Sequence, residues 1–399
     1  MMKKRIAACI LAGVMGCSLL AGCSAEQKPV DGTQTVMTVA DESATLGELA
    51  LALRYQQAYS LDSYMSMMEA YGQTVSPGQT LWGETLNDDT IKQMQEDMEK
   101  KSFDTGLSLK TEADYLQVSI SYLLAQQLAA VSHADEFDVS LSDEEKTEIS
   151  ETAKTFMENS DSKALELNGI TQETVETYLS DFVIAQKVET AYKEKQTVDI
   201  PDEDAQMMKV SVVAFGLNPD DEKLDEAKEV EAQAEAYRKE LTAETDMSSV
   251  SETYTNAKFG EDGLPVNAKD GDTVFSVEDV KAISQLKAGE VYDKVLKIEN
   301  DTTTVWYVVR MVSPLDETMT EQQLQSLKNE KFSDMYDEQM TAWMKDGKVS
   351  CETQLIESLR VSDAVQYRGL EQDDEVKQGI VAGESTQNEA ETDSGADTE

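Results

Sequence analysis

Thiols and imidazoles are the side chains best able to do chemistry at neutral pH, and this chain of 399 residues has four cysteines and one histidine. Cys23 follows Leu20-Ala21-Gly22 and precedes Ser24-Ala25-Glu26. Ahead of it stand Lys3, Lys4 and Arg5, then an almost wholly apolar stretch from Ile6 to Leu20. A short positive region, an apolar run and a small-residue site are the layout of an export signal. The run is shorter than the roughly 20 apolar residues of a comfortable spanning helix. Leu20 to Cys23 also looks like a bacterial lipobox, in which the thiol receives a diacylglyceryl group and the cysteine becomes the new N-terminus. The bland alternative is an ordinary cleaved signal with an incidental cysteine. The expectation is a signal at 1–22, lipidation at Cys23 and a polar spacer at 23–34.

Cys9 and Cys17 leave with such a signal, so only Cys351 remains as a thiol. The mature chain then has no internal disulfide and no thiolate metal cluster, and must hold itself together by burying apolar surface. The single histidine, His133, excludes most multi-histidine metal sites, and the Ser-His-Asp arrangement unless His133 itself serves. It lies near the end of a helical pattern, which favours a satisfied or solvent-facing ring over a catalytic one. No Gly-rich phosphate loop and no HExxH pattern is present, so no cofactor and no metal site is expected.

The formal net charge is −45, and residues 1–22 carry three positive charges and no negative ones, so their removal takes it to about −48. Such a surface repels nucleic acid, whose binding depends on neutralising phosphates. It also repels anionic lipid, which leaves the anchoring to acyl chains at about 0.8 kcal/mol per buried methylene. With 40% hydrophobic residues the chain is long enough for two or three cores.

The positioning elements follow from periodicity. "TVMTVAD" reads as a short strand, and Thr45 with Glu48 forms a capping box before a helix running through "LDSYMSMMEAYG". Residues 74–110 are mixed and turn-like. A long helix is predicted at 111–136, another after the capping box Ser142/Glu145, and a further one after Thr171. Residues 35–200 therefore form a mainly helical domain, and Pro201 with its acidic neighbours marks a boundary. From 203 to 315 the order is strand (207–215), helix (222–243), a Gly-containing loop, the short helix "SVEDVKAISQL" and two strands. Residues 316–360 return to helix, with Thr320/Gln323 as a capping box and Phe332, Met335, Trp343 and Met344 as its buried residues. The last 30 residues carry ten acids and one lysine, so 370–399 reads as a disordered tail. The fold class is α+β.

This succession resembles the foldase lipoproteins of the PrsA/SurA type, in which a helical chaperone domain is interrupted by a parvulin-type peptidyl-prolyl isomerase domain. "TVADESATLGELALALR", "HADEFDVSLSDEEKTEI" and "LELNGITQETVETYLSDFVIAQKV" are similar to its helical segments. "KVSVVAF", "DMSSVSETYT", "SQLKAGEVYDKV" and "WYVVRMV" are similar to its isomerase segments. The resemblance implies that 316–360 packs back on the N-terminal helices, making the chaperone domain discontinuous. It also implies histidines in the first and last strands of the isomerase domain, and their places here hold Ser211 and Tyr307. Phe275, Val277 and Val280 then line a small apolar groove or, as the alternative, are core. The "GGDLG" loop of the family is reduced to Gly260–Leu264.

Rotation about an X-Pro bond crosses a barrier of about 18–20 kcal/mol but breaks no covalent bond and needs no proton transfer. An apolar groove can assist by desolvation, while the polar network that orients the substrate is gone. Weak or absent isomerase activity is expected. Three of the eighteen methionines fall in 1–22; the rest include Met65, Met67 and Met68. Flexible, polarisable methionines suit a surface that accepts many apolar partners. The expectation is a lipid-anchored, extracytoplasmic folding factor on the outer face of the cytoplasmic membrane, binding exported unfolded polypeptides. The alternatives are a solute-binding lipoprotein of a transporter and a purely structural envelope lipoprotein.

Overall fold

The computed structural model describes residues 16–17, 29–72, 82–160, 162–216, 224–271, 274–299, 304–359, 361 and 367–368. The signal at 1–22 (apart from 16–17), Cys23, the spacer up to residue 28 and the tail at 370–399 lie outside them. The chain divides into two compact units, one made of residues up to Lys195 together with those from Tyr336, the other of Gln196–Met335. Both are described below in chain order.

The helical unit opens with a hairpin, β1 (Thr35–Val39) and β2 (Glu42–Thr45). Thr45 then caps α1 (Leu46–Ala70): its side chain accepts from the Glu48 amide at 3.3 Å, and Glu48 Oε2 accepts from the Thr45 amide at 2.8 Å. That reciprocal pair satisfies two amide donors that a helix start leaves orphaned. Within the stretch expected to be irregular lies α2 (Asp88–Lys100), capped by Asn87. Next come α3 (Glu112–Val131), with a capping box from Thr111 and Asp114, and a one-turn 3-10 helix at Ala134–Phe137. α4 (Asp143–Asn159) starts at the Ser142/Glu145 box, and α5 is Gln172–Lys195.

α3 is the hub of this unit. Leu116, Val118, Ile120, Leu124, Ala125, Leu128 and Ala129 are all buried, packed against α1, α5 and the hairpin. Gly32 and Gly169 allow backbone to touch backbone. Gly169 has φ +62, and a Cβ on it would lie 2.5 Å from the Gly32 nitrogen; one on Gly32 would lie 1.9 Å from the Gly169 oxygen. Only glycine fits there.

The second unit is built on β3 (Met207–Gly216), α6 (Leu224–Glu240), β4 (Ala257–Asn267), α7 (Val277–Ile283), β5 (Leu296–Glu299) and β6 (Thr304–Ser313). The strands form one antiparallel sheet in the order β4-β3-β6-β5. β4 corrects the expected loop at Gly260–Leu264. Its Gly260, Gly263 and Pro265 look like a turn, yet they sit on an edge strand, where proline and bulges are tolerated. The register shift at Val210/Ser211 accommodates Gly263, whose φ is +102, and a second lies at Ser211/Val213.

α8 (Glu317–Gly347) begins in this unit and ends in the helical one. Thr320/Gln323 is not its capping box. The helix starts at Glu317, four residues before that box would begin it; Asp316 Oδ1 accepts from the Met319 amide at 3.1 Å, and Thr320 Oγ1 accepts from the Met207 amide at 3.0 Å. Of its expected buried residues Trp343 and Met344 are buried, whereas Phe332 and Met335 are half-buried. Beyond it β7 (Ser350–Cys351) pairs with β1, extending the hairpin to the order β2-β1-β7, and α9 (Thr353–Ser358) follows. The C-terminal segment is fixed by aromatic stacking: the Trp343 ring lies 4.5 Å from His133 and 5.9 Å from Phe137. His133 Nδ1 is 2.9 Å from the Ala129 carbonyl. The one imidazole is therefore a packed, hydrogen-bonded ring.

Candidate functional site

Alternation along the β3–β6 pair decides what the sheet of the second unit can do. Val212 pairs with Val309, Val213 with Val308 and Ala214 with Tyr307, and successive side chains point to opposite faces. Val210, Val212, Val309 and Met311 share one face with Phe275, Val280, Ile283, Tyr292 and Leu296, and Tyr307 packs half-buried against that cluster. Val213, Phe215, Trp306 and Val308 share the other with Val230, Ala234, Tyr237 and Leu241 of the α6 side. Ser211 lies between Val210 and Val212 and opposite Arg310, so it belongs to the α6 face. Ser211 and Tyr307 are thus on opposite faces and do not form one site. On Tyr307's own face the β3 positions are Ala214, directly opposite, and Val212 beyond it, and neither side chain brings a proton donor or acceptor.

The groove residues separate as well. Phe275 and Val280 have no exposed surface and belong to the core, while Val277, at the start of α7, is 62% exposed. Polar groups nearby are already engaged. Ser276 Oγ donates to Asp279 Oδ2 at 2.5 Å, Tyr292 OH donates to Asp279 Oδ1 at 2.9 Å, and the Asp279 amide donates to Ser276 Oγ at 3.2 Å. This network caps α7. Burial, then the Asp279 hydrogen bond, holds the Tyr292 hydroxyl well above its ordinary range. On the other face Arg310 Nη1 donates to the Thr242 and Thr245 carbonyls at 3.0 and 2.7 Å. A cation is well placed on the carbonyls just beyond a helix C-terminus. The arrangement is a packed α+β core, in whose α6 face the Tyr237 hydroxyl and Trp306 Nε1 are buried without a hydrogen-bond partner.

The helical unit differs. Met67 and Tyr71 at the end of α1 are 50% and 77% exposed, and Tyr115 and Leu123 on α3 are 40% and 57% exposed. The side chain of Met65 lies outside those described. Tyr115, Ser119, Tyr122 and Leu123 face Thr90, Gln93, Met94, Asp97, Met98 and Lys101 of the α2 side across a groove of about 380 Å³. Sequence reading missed it because α2 was not recognised; the available signal was α3 itself, apolar on more sides than a one-faced helix needs.

One electrostatic feature stands apart from the groove. Glu48 is 2% exposed, and its Oε1 has no hydrogen-bond partner. Asp181 on α5 is pushed up to about 7 by burial, then by the nearby Glu48 and Glu42 carboxylates. Burial raises Glu48 as well, against its hydrogen bonds from Thr45. Among the described residues no group of three or more His, Cys, Asp or Glu is placed to hold a metal ion, and no helix is long and apolar enough to cross a membrane.

No family model matches the sequence, and no curated protein matches it. Among solved structures the chain is similar to the foldase protein PrsA from Lactococcus lactis, at 18% identity over 72% of this chain and 98% of that one, with a TM-score of 0.30. It is similar to the peptidylprolyl isomerase PrsA from Bacillus cereus at 16% identity, over 72% and 100% of the two chains, with a TM-score of 0.30. A Campylobacter jejuni structure from a study of two SurA-like chaperones matches at 11% identity over 67% and 94%, with a TM-score of 0.23.

Proposed function

We propose that this protein is a membrane-tethered, extracytoplasmic folding factor that binds exported unfolded polypeptides and has weak or no peptidyl-prolyl isomerase activity. The observation that carries the reading is the distribution of exposed large apolar side chains: Met67, Tyr71, Tyr115 and Leu123 of the helical unit lie open, in a unit whose core is otherwise closed. Unfolded segments held on such a surface are withdrawn from aggregation by mass action, and the net charge of −45 keeps a loaded complex in solution. The lipobox-like Leu20-Ala21-Gly22-Cys23 supplies the tether through a diacylglyceryl group on Cys23. The second unit acts as a scaffold, since Val212 and Tyr307 offer no polar pair and Phe275 and Val280 are core.

The reading is tested by pairing two assays on the mature chain. Aggregation of a denatured client should be suppressed at stoichiometric amounts. Exchange of a proline-containing peptide, followed by NMR, should be accelerated little or not at all. A chain that leaves aggregation untouched refutes the folding-factor reading. Strong acceleration refutes the scaffold role of the second unit. Metabolic labelling with a fatty acid, lost in Cys23→Ser, tests the anchor.

A further inference from the structure

We infer that His133 is a proton-operated clasp, which in acid fastens the C-terminal end of α8 onto the end of α3. The clasp stands apart from the folding-factor reading and does not depend on it. Hydrogen bonding first assigns the ring's protons. His133 Nδ1 lies 2.9 Å from the Ala129 carbonyl and 3.0 Å from Ser132 Oγ. Ser132 Oγ donates to that same carbonyl at 2.8 Å, so Nδ1 faces two acceptors and carries the proton of the neutral ring. A second proton therefore enters at Nε2, which lies 3.7 Å from Glu136 Oε1.

Three contacts favour that second proton. His133 sits two residues past the end of α3, where the last carbonyls of a helix attract positive charge. Glu136 offers a carboxylate on the side where the charge appears. The Trp343 indole lies nearly parallel to the ring, at 4.5 Å between centroids and 22° between planes, and an aromatic face attracts a cation at that distance. The His133 side chain is 18% exposed, so protons reach it from water.

The other charges around this aromatic cluster are mixed. Lys195 on α5 lies 4.3 Å from the Phe137 ring centroid and donates to the Glu136 carbonyl at 3.0 Å, but it is exposed and its charge is screened. Glu189 on α5, paired with Lys193 at 2.6 Å, and Asp337 on α8 lie near Tyr336, and Glu338 lies near Tyr192. The surroundings thus lean negative and suit an imidazolium.

Trp343 and Met344 are buried. The chain beyond them continues into β7, which pairs with β1, and to the Ile356 and Leu359 carbonyls that accept from Gln117. A tighter grip on Trp343 therefore fixes the segment that closes the hairpin sheet and covers α3. A charge that finds partners only in the folded chain stabilises it wherever the ring is protonated. That contribution is full in acid and is lost as pH rises through the range in which imidazoles give up their proton.

The test is hydrogen exchange of the amides from Met340 to Leu359 in the full mature chain, read by mass spectrometry. Comparing variant with parent at each pH cancels intrinsic exchange rates and the contribution of other groups, Asp181 among them. In His133→Gln these amides should exchange about tenfold faster than in the parent at pH 5 and within about twofold of it at pH 8. Glu136→Gln, which keeps the ring, should speed them by about threefold at pH 5 only. Indole emission gives a readout that packing alone would not move. An imidazolium stacked on Trp343 quenches it, so emission should fall from pH 8 to pH 5 in the parent, and in neither His133→Gln nor Trp343→Phe.

Faster exchange of equal size at both pH values would make the ring a packing element and overturn the clasp. Exchange unchanged at both would overturn it as well. Should His133→Gln fail to fold, as circular dichroism would show, the parent's emission and Glu136→Gln decide: emission flat with pH and exchange unaltered at pH 5 overturn it.

Discussion

Replacing Asp181 by asparagine should make the protein more stable, and increasingly so as pH rises. Asp181 on α5 shares its surroundings with Glu48 and Glu42, and burial with those two carboxylates lifts it to about 7 from an ordinary 3.8. A raised folded-state pKa means that the folded chain holds a proton which the unfolded chain releases. Stability from this group is therefore full below pH ~4, declines as pH rises, and is lost above pH ~7. Each pH unit in that window is worth about 1.4 kcal/mol, so the whole interval amounts to about 4 kcal/mol. Asparagine has no proton to lose in this range. The advantage of Asp181→Asn over the parent should grow by about 2–3 kcal/mol between pH 5 and pH 7.5 and then stop growing. Urea unfolding followed by far-ultraviolet circular dichroism, at half-unit pH steps, measures the difference directly. A difference that is flat across this window, or that shrinks toward alkaline pH, would refute the reasoning.

Three further outcomes are expected. Gly169→Ala places a methyl 2.5 Å from the Gly32 nitrogen at a φ of +62 and should cost about 2–4 kcal/mol in urea unfolding of the helical unit; a cost under 0.5 kcal/mol would show that the backbones can separate freely. Trp343→Ala removes the ring that stacks on His133 and meets Phe137, Tyr192 and Tyr336 edge-on; about 3–5 kcal/mol should be lost, and with it near-ultraviolet circular dichroism from this cluster. Cys351, whose thiol burial pushes up to about 12, should react with a thiol reagent at pH 8 roughly a hundredfold more slowly in the native chain than in urea, and equal rates would show that the β7 segment opens readily.

What the sequence disclosed and what it concealed divide along physical lines. Capping boxes at Thr45/Glu48 and Ser142/Glu145 are local chemistry, and both form as written. Thr320/Gln323 has the same spelling but is pre-empted, because Asp316 lies upstream and the Met207 amide needs an acceptor. α2 was hidden because only Ile91, Met94 and Met98 are apolar in its 13 residues, too few to show a period. β4 was hidden because Gly260, Gly263 and Pro265 read as a turn until a partner strand is present. The site was misjudged by parity. Ser211 is one residue from Val212, and in a strand one residue reverses the face; only the pairing of Ala214 with Tyr307 reveals which side each occupies.

The join between β1 and β7 has a consequence for how the molecule is made. Met37 and Cys351 are neighbours in one sheet, and Gln117 donates to the Ile356 and Leu359 carbonyls at 3.0 and 3.1 Å. A chain synthesised from its N-terminus exposes α1 to α5 long before the residues that close their sheet and cover α3 exist. The strands of the second unit all lie within 207–313 and can pair while the helical unit still waits. Assembly of the helical unit is thus the last event, timed by the emergence of residue 359. Until then α3 keeps bare the side where the C-terminal segment will lie.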